Sequence, residues 1–193
     1  MRYSKEHKAL AKATIVREAA RTLKENGFHA VGVDGLAAAA KVTSGALYSN
    51  FANKEAVLEE VVATQLGIEF AGLADQDPAE RVRVLGEILH LYLSDQHRDN
   101  AGLGCVMPSL SADVARAGDP VRKAYRSRMD DVIAVLTPAM PGTPARQAQL
   151  AWTLLASIVG AVTIARALPP GDQAQAVLDA VLASTMQLIT EEP

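Results

Sequence analysis

Aromatic side chains are scarce in this 193-residue chain: Phe, Trp and Tyr make up 4% of it, although hydrophobic residues reach 49%. The surplus is Ala, Leu and Val, a composition that favours helices packed closely through small side chains. Cysteine occurs once, at Cys105, which excludes an intrachain disulfide framework and any multi-thiolate metal site and suits a reducing compartment. The four histidines (His7, His29, His90 and His97) show no HxxxH or HExxH spacing, and no cysteine or clear carboxylate partner accompanies the His90 and His97 pair, so no metal site is expected. Gly-rich phosphate loops and GxSxG turns are missing too, so no catalytic centre and no cofactor are expected. Sustained two-residue alternation between hairpin turns is absent, which argues against a sheet. No apolar run reaches the roughly 18 to 20 residues that span a bilayer, and the first residues, MRYSKEHKALAK, carry charge where a signal peptide would be apolar. A soluble, cytoplasmic protein with no membrane partner is expected.

What is present is a polarity of charge. The net value of −3 hides nine Lys or Arg against four acids in residues 1–54, a balance of +5 that leaves the remainder at −8. A basic head on an acidic body suits a protein that touches phosphates with one end, because screening over about 8 to 10 Å keeps the two regions from cancelling locally. A merely solvated first helix would carry the same excess. The length fits one sizeable core with a small satellite module.

Helix-start signals punctuate the chain. Asp77-Pro78, Asp119-Pro120 and Thr143-Pro144 each place a capping side chain before a proline, and Pro169-Pro170-Gly171-Asp172 stops one helix and starts another. Between these marks apolar residues recur at helical spacing, as in Val82, Leu85, Leu89 and Leu93. The chain reads as all-α, with nine helices near 4–25, 33–40, 44–50, 54–74, 78–96, 103–116, 120–138, 144–168 and 172–190. The first three form a helix-turn-helix domain over residues 1–53, and residues 54–193 a larger helical domain. The fourth helix is expected to run on from one to the other without a flexible linker.

Residues 14–58 carry the function. The first helix stops at Asn26-Gly27, a glycine stop, and Phe28 anchors the returning chain. Val33, Leu36, Ala37 and Ala40 form the inward stripe of a short second helix; Val42 plugs a tight turn; Thr43 caps a third helix with Leu47 and Phe51 facing inward. Two short helices about such a turn make a helix-turn-helix, whose second helix enters the major groove. Its free face is small and polar: Ser44, Gly45 and Ala46 allow close approach to base edges, Ser49 and Asn50 offer hydrogen bonds, and Thr43 and Tyr48 hydroxyls reach phosphates. Lys54, after the cap Asn53, adds a cation at a helix N-terminus. Tyr48 alone would also read as a half-buried aromatic, and Ser49 and Asn50 as a solvated helix end. Lys5, Lys8 and Lys12 lie on one side of the first helix, as phosphate contacts or as an ordinary solvated face.

These residues resemble the DNA-binding domain of the TetR (tetracycline repressor-like) family, in which a Gly-Phe pair, a Val-Ser/Thr turn and a Tyr-x-x-Phe-x-x-Lys-Glu stretch recur; here they are Gly27-Phe28, Val42-Thr43, and Tyr48, Phe51, Lys54 and Glu55. Gly104-Cys105-Val106-Met107-Pro108 is similar to a segment of one subgroup. Two positions depart from the pattern. Gly32 stands where the second helix usually has a Thr or Ser cap, and Lys41 where the turn usually has Gly, so either the turn differs or the lysine is kept for phosphate contact.

A single helix-turn-helix covers too little surface for specific affinity, so a homodimer on double-stranded, palindromic operator DNA is expected. Its seam is placed on helices 144–168 and 172–190, through the stripes Leu150, Leu154, Ile158, Ile164, Val177, Val181 and Ile189 and the small residues Ala156, Ser157, Gly160 and Ala161. The resemblance implies a repressor released by an unidentified small-molecule effector, with the fourth helix transmitting the shift. The DNA contacts are Lys41, Thr43, Ser44, Gly45, Ala46, Tyr48, Ser49, Asn50 and Lys54. Candidate effector contacts are His90, Cys105, Met107, Tyr125, Met129 and Trp152, with Tyr92 and His97 as further polar-tipped residues of the same helices. Two alternatives stay open: a thiol-based repressor that senses oxidants through Cys105, and a helical enzyme or interaction module without DNA binding.

Overall fold

The structure, a computed structural model, describes residues 5–190, with side chains from Ala9 onward except that of Ala79. The side chains of Lys5 and Lys8 lie outside that description. Among the described residues there are ten α-helices and no strand: α1 (Lys5–Asn26), α2 (Val33–Ala39), α3 (Ser44–Tyr48), α4 (Lys54–Gln65), α5 (Pro78–Tyr92), α6 (Asp95–Asp99), α7 (Val106–Arg116), α8 (Asp119–Leu136), α9 (Pro144–Ala167) and α10 (Asp172–Thr190). A 3₁₀ segment, Ile68–Leu73, follows α4 and a shorter one, Thr137–Ala139, follows α8.

Most starts follow from side-chain caps. Asp77 accepts from the Glu80 N–H, Thr143 from Arg146 and Asn53 from Ala56, each satisfying an orphan donor of a first turn. At α8 the cap falls one residue earlier than the sequence suggests, on Gly118, with Asp119 inside the first turn.

Three expected boundaries move. The fourth helix stops at Gln65, because Leu66 turns extended and Gly67 takes a left-handed conformation (φ 75°). Arg128 of α8 donates from Nε and Nη2 to the Leu66 carbonyl at 3.2 and 2.8 Å, and a Cβ at Gly67 would lie 2.2 Å from Val132. The continuous rod expected over 54–74 is thus a helix of half that reach, hinged onto α8. The helix expected over 78–96 breaks at Leu93, where Ser94 caps α6 through the His97 N–H. The helix expected from 103 starts at Val106, with Cys105 as its cap.

One buried core runs through the chain. Leu23, Leu36, Leu47 and Leu58 are sealed around the first three helices, and it continues through Leu66, Phe70, Leu85, Leu89, Met107 and Leu110 to Leu136, Leu154 and Ile158. Helix α4 packs on both α1 and α8, and α9 on α10.

Helix α9 corrects two expectations. By length and composition it is apolar enough to cross a membrane. Yet Leu150, Leu154, Ile158 and Ala161, assigned by the sequence to a dimer seam, turn into the protomer's own core, as does Ile189 of α10. Val177 and Val181 are half-buried against it. A helix this apolar needs its most hydrophobic stripe inside, and the protomer supplies that cover itself. Along the middle of α9 Trp152, Thr153, Ala156, Thr163, Ile164 and Ala167 stay open, with Gly160 half-open; the open side of α10 includes Ala176, Ala180, Ala183 and Ser184 beside Asp179 and Gln187.

Candidate nucleic-acid interface and internal cavities

The turn between α2 and α3 is a left-handed stop. Lys41 has φ 55°, its N–H donates to the Ala38 carbonyl at 3.0 Å, and the Val42 N–H donates to Ala37 at 2.9 Å, the paired bonds of a Schellman motif. The turn therefore keeps the geometry in which glycine is unstrained, and Lys41 adopts it at a cost of about 1 kcal/mol. Lys41→Gly is accordingly expected to raise the melting temperature by about 2–4 °C. If the exposed lysine meets a phosphate, the same substitution makes the salt dependence of DNA binding shallower by about one counterion. Calorimetry and a salt titration on one preparation check both, and a lowered melting temperature would sink the strain argument.

Helix α3 is held from beneath and free above. Leu47 and Phe51 are buried, and the Thr43 hydroxyl accepts from the Ala46 N–H at 3.1 Å. Ser44 donates to Asp34 of α2 at 2.6 Å, which ties the two helices together on the outside. Ser49 Oγ and Asn50 Nδ2 both donate to the Ala46 carbonyl at 2.8 Å, and Ser49 Oγ also accepts from Asn50 Nδ2 at 3.3 Å. Gly45 is exposed, and Tyr48 is 54% exposed for an aromatic ring.

The lysines behave differently from one another. Lys54 stands 4.1 Å over the Phe28 ring, a cation–π contact that positions its ammonium at the start of α4. Lys12, read as one of a basic row, pairs with Glu60 of α4 at 2.8 Å.

Polar contacts that no local pattern singles out join the helix-turn-helix and the start of α4 to the rest of the chain. Asp113 of α7, buried, accepts from the Phe28 N–H at 3.1 Å and pairs with Arg116 at 2.9 Å. Lys24 of α1 donates to the Gly104 carbonyl at 2.6 Å, and Glu55 accepts from the Gly118 N–H at 3.3 Å. All three link residues far apart in sequence, a relation no local pattern records.

Residues 15–61 match the sequence profile described as bacterial regulatory proteins, tetR family. The whole chain superimposes on solved regulators. Against NemR of E. coli in its reduced form the TM-score is 0.73 at 21% identity, over 92% of this chain and 96% of that one. Against regulatory protein TetR from Rhodobacter sphaeroides it is 0.71 at 19% identity, over 92% and 98%. The N-terminal segment is thus similar to the tetR family of bacterial regulatory proteins, and the chain as a whole shares the fold of these solved regulators. A comparison with curated protein sequences gives no match. Among these structural relatives is also the fatty acid degradation regulator FadR of Bacillus halodurans, with a TM-score of 0.64 at 14% identity, over 98% of this chain and 97% of that one.

Beyond the TetR-like domain, the helical body holds two cavities of note. One, of about 200 Å³, is a groove between α8 and α9 lined by Met107, Tyr125, Met129, Trp152, Leu155, Ala156 and Val159. It gathers four of the six residues singled out as effector contacts; Tyr125 is tethered there to Ser111, oxygen to oxygen at 2.9 Å. The other, of about 290 Å³, lies between α5 and the segment before α7, where Tyr92, His97 and Cys105 meet Glu69 of the 3₁₀ segment. His90 lines neither: it is exposed on α5, its Nδ1 2.8 Å from the Gly86 carbonyl.

Around the second cavity the polar groups are fixed. His97 Nδ1 lies 2.6 Å from the Tyr92 carbonyl and its Nε2 accepts from the Cys105 N–H at 3.0 Å, which defines the neutral tautomer with hydrogen on Nδ1. Burial holds this ring below the usual histidine range. Arg166 of α9 donates to the His97 and Arg98 carbonyls and to Ser109 Oγ at 2.8, 3.0 and 3.1 Å. The Gly-Cys-Val-Met-Pro segment gains its reason here: a Cβ at Gly104 would lie 2.4 Å from His97 Nε2. Burial, then the charge of Glu69, pushes the Cys105 thiol up to about 12. This reverses the lowered value that its place at a helix start suggested, because desolvation outweighs the helix N-terminus.

Proposed function

We propose that the protein is a homodimeric repressor that holds a palindromic operator through two copies of α3 and lets go when a small molecule occupies the helical body. Residues 1–53 would be the DNA-binding domain and 54–193 the effector and dimerisation domain. The observation that carries the reading is the upper face of α3. Gly45, Ser49 and half-exposed Tyr48 stand clear of the protein while Leu47 and Phe51 are locked below, an arrangement with nothing to do inside the protomer and suited to a major groove. Lys41, Thr43, Ser44, Ala46, Asn50 and Lys54 surround that face.

The dimer is supported by the uncovered side of α9 and α10, where Ala, Gly, Ser and Thr form the middle and Trp152 and Ile164, 47% and 54% exposed, the edges. Small residues flanked by large apolar ones suit close packing of a second copy into a four-helix bundle. A thiol switch at Cys105 is the weaker reading, since a sealed thiol with a pKa near 12 is almost wholly protonated at neutral pH.

Footprinting the purified protein on the DNA upstream of its own gene tests the proposal. Protection of two symmetric half-sites spaced by whole helical turns, weakening steeply with salt, is the expected result. Absence of protection there and on a library of genomic fragments would overturn it.

A further inference from the structure

Two buried polar atoms, Glu69 Oε2 and the Tyr92 hydroxyl, have no hydrogen-bond partner among the described residues. Both belong to side chains that line the cavity of about 290 Å³ beside Cys105. Tyr92 is almost wholly buried, stacked at 6.1 Å on Phe70 and tilted against His97 at 4.5 Å, so its hydroxyl cannot swing out to find water. The Cys105 thiol, a weak partner, adjoins both groups, and a hydroxyl and a carboxyl oxygen left without a stronger partner behind the cavity wall cost stability that a ligand reaching them can recover. The rest of the wall is formed by Ile88 and by Leu91 and Leu103 at an exposed rim, together with His97, Gly104 and Cys105.

We propose that this cavity, rather than the groove between α8 and α9, is the effector site, and that it takes a small, neutral, ring-containing alcohol, phenol or amide. The inference rests on the effector-release reading above. The size follows from comparison with an apolar cavity of about 150 Å³, which holds one benzene ring; here there is room for one or two rings. The head group must both give and receive hydrogen bonds, to the Glu69 carboxyl and the Tyr92 hydroxyl. It is neutral because burial already drives Glu69 toward its uncharged form, and because the nearby cations Lys24 and Arg166 donate to backbone carbonyls instead of lining the cavity.

The same wall touches the DNA-binding domain. Gly104 and Leu103 line the cavity, and the Gly104 carbonyl is the acceptor that holds Lys24 of α1. The next residue of α1, Glu25, sits so close to Gly102 that a Cβ there would lie 2.2 Å from its carboxylate. A head group seated between Glu69 and Tyr92 displaces this segment, and α1 moves with it. The signal then enters through α1 and not, as the sequence suggested, through α4, which ends at Gln65.

The test uses the full-length protein and four probes, phenol, 2-naphthol, cyclohexanol and benzamide, each paired with its parent hydrocarbon, with binding followed by calorimetry. At least one polar probe is expected to bind about 10-fold or more tighter than its hydrocarbon and, at saturation, to weaken operator binding by a similar factor. Tyr92→Phe is expected to erase that preference with little change in the melting temperature, since the hydroxyl has only the weak Cys105 contact to lose. Lys24→Met is expected to keep both probe and operator binding and lose the release. Met129→Phe, which fills the groove between α8 and α9, is the control. The inference is overturned if no polar probe is preferred, if Tyr92→Phe destabilises the fold, or if Met129→Phe removes probe binding while Tyr92→Phe does not. Operator binding without probe is measured separately: if that is missing, the failure belongs to the repressor reading.

Discussion

Gly45→Val is expected to leave the protein folded and dimeric while lowering its operator affinity about 100-fold or more. Within the protomer there is no need for glycine at this position. Its backbone is an ordinary helical turn, and a Cβ would meet only the Thr43 hydroxyl at 3.9 Å, normal contact distance. A side chain there should even favour α3, because glycine is the poorest helix former after proline. The room is needed outside. A branched side chain on the exposed second residue of the recognition helix holds the backbone off the base edges, and losing one or two base pairs of recognition at about 1–3 kcal/mol each gives the stated loss. Gel shifts on the footprinted operator, beside thermal melts, decide the matter. Unchanged affinity would mean that α3 does not enter the groove with this end.

Gly160 makes the same kind of case for the dimer. It lies mid-helix in α9, and an added Cβ would have nothing within 4 Å. Around it the open face presents Ala156, Thr163 and Ala167, with Trp152 and Ile164 at its edges. Gly160→Glu is expected to yield a folded monomer by sedimentation, since the carboxylate is solvated in one protomer but would be buried unpaired between two. Operator binding should then fall by three orders of magnitude or more, as half of the base contacts and the linkage between half-sites are lost together. A dimer that survives Gly160→Glu would place the seam elsewhere.

These two glycines show where local pattern suffices and where it does not. The helix-turn-helix was legible because its determinants are neighbours in sequence: Gly27 and Phe28, the stripe Leu36, Ala37 and Ala40, the Thr43 cap, then Leu47 and Phe51. Even the odd lysine at 41 could be seen as a left-handed residue in waiting. The starts at Pro78 and Pro144 were legible for the same reason. The end of α4 was not, because a glycine at 67 inside an apolar stretch is tolerated by a helix unless something else takes the freed carbonyl. That partner, Arg128, is 62 residues away. The apolar stripe read as a dimer seam is core, because hydrophobic periodicity finds the most apolar stripe, and in α9 the protomer's own packing claims it.

The proposed effector cavity was legible only in part. Cys105, Tyr92 and His97 stood among the candidate contacts, but Glu69 did not, and only packing of the 3₁₀ segment, α5 and the start of α7 brings them together. What the sequence determined by itself is an all-helical protein with a DNA-binding helix-turn-helix at its basic end, because those features rest on contacts a few residues apart. Tertiary structure decided the rest: where α4 breaks, which side of α9 is left open, that the Cys105 thiol is buried, and that a tyrosine and a glutamate line one cavity a hydrogen bond from α1. Each depends on which distant groups exclude water from one another, a quantity that no local spacing encodes.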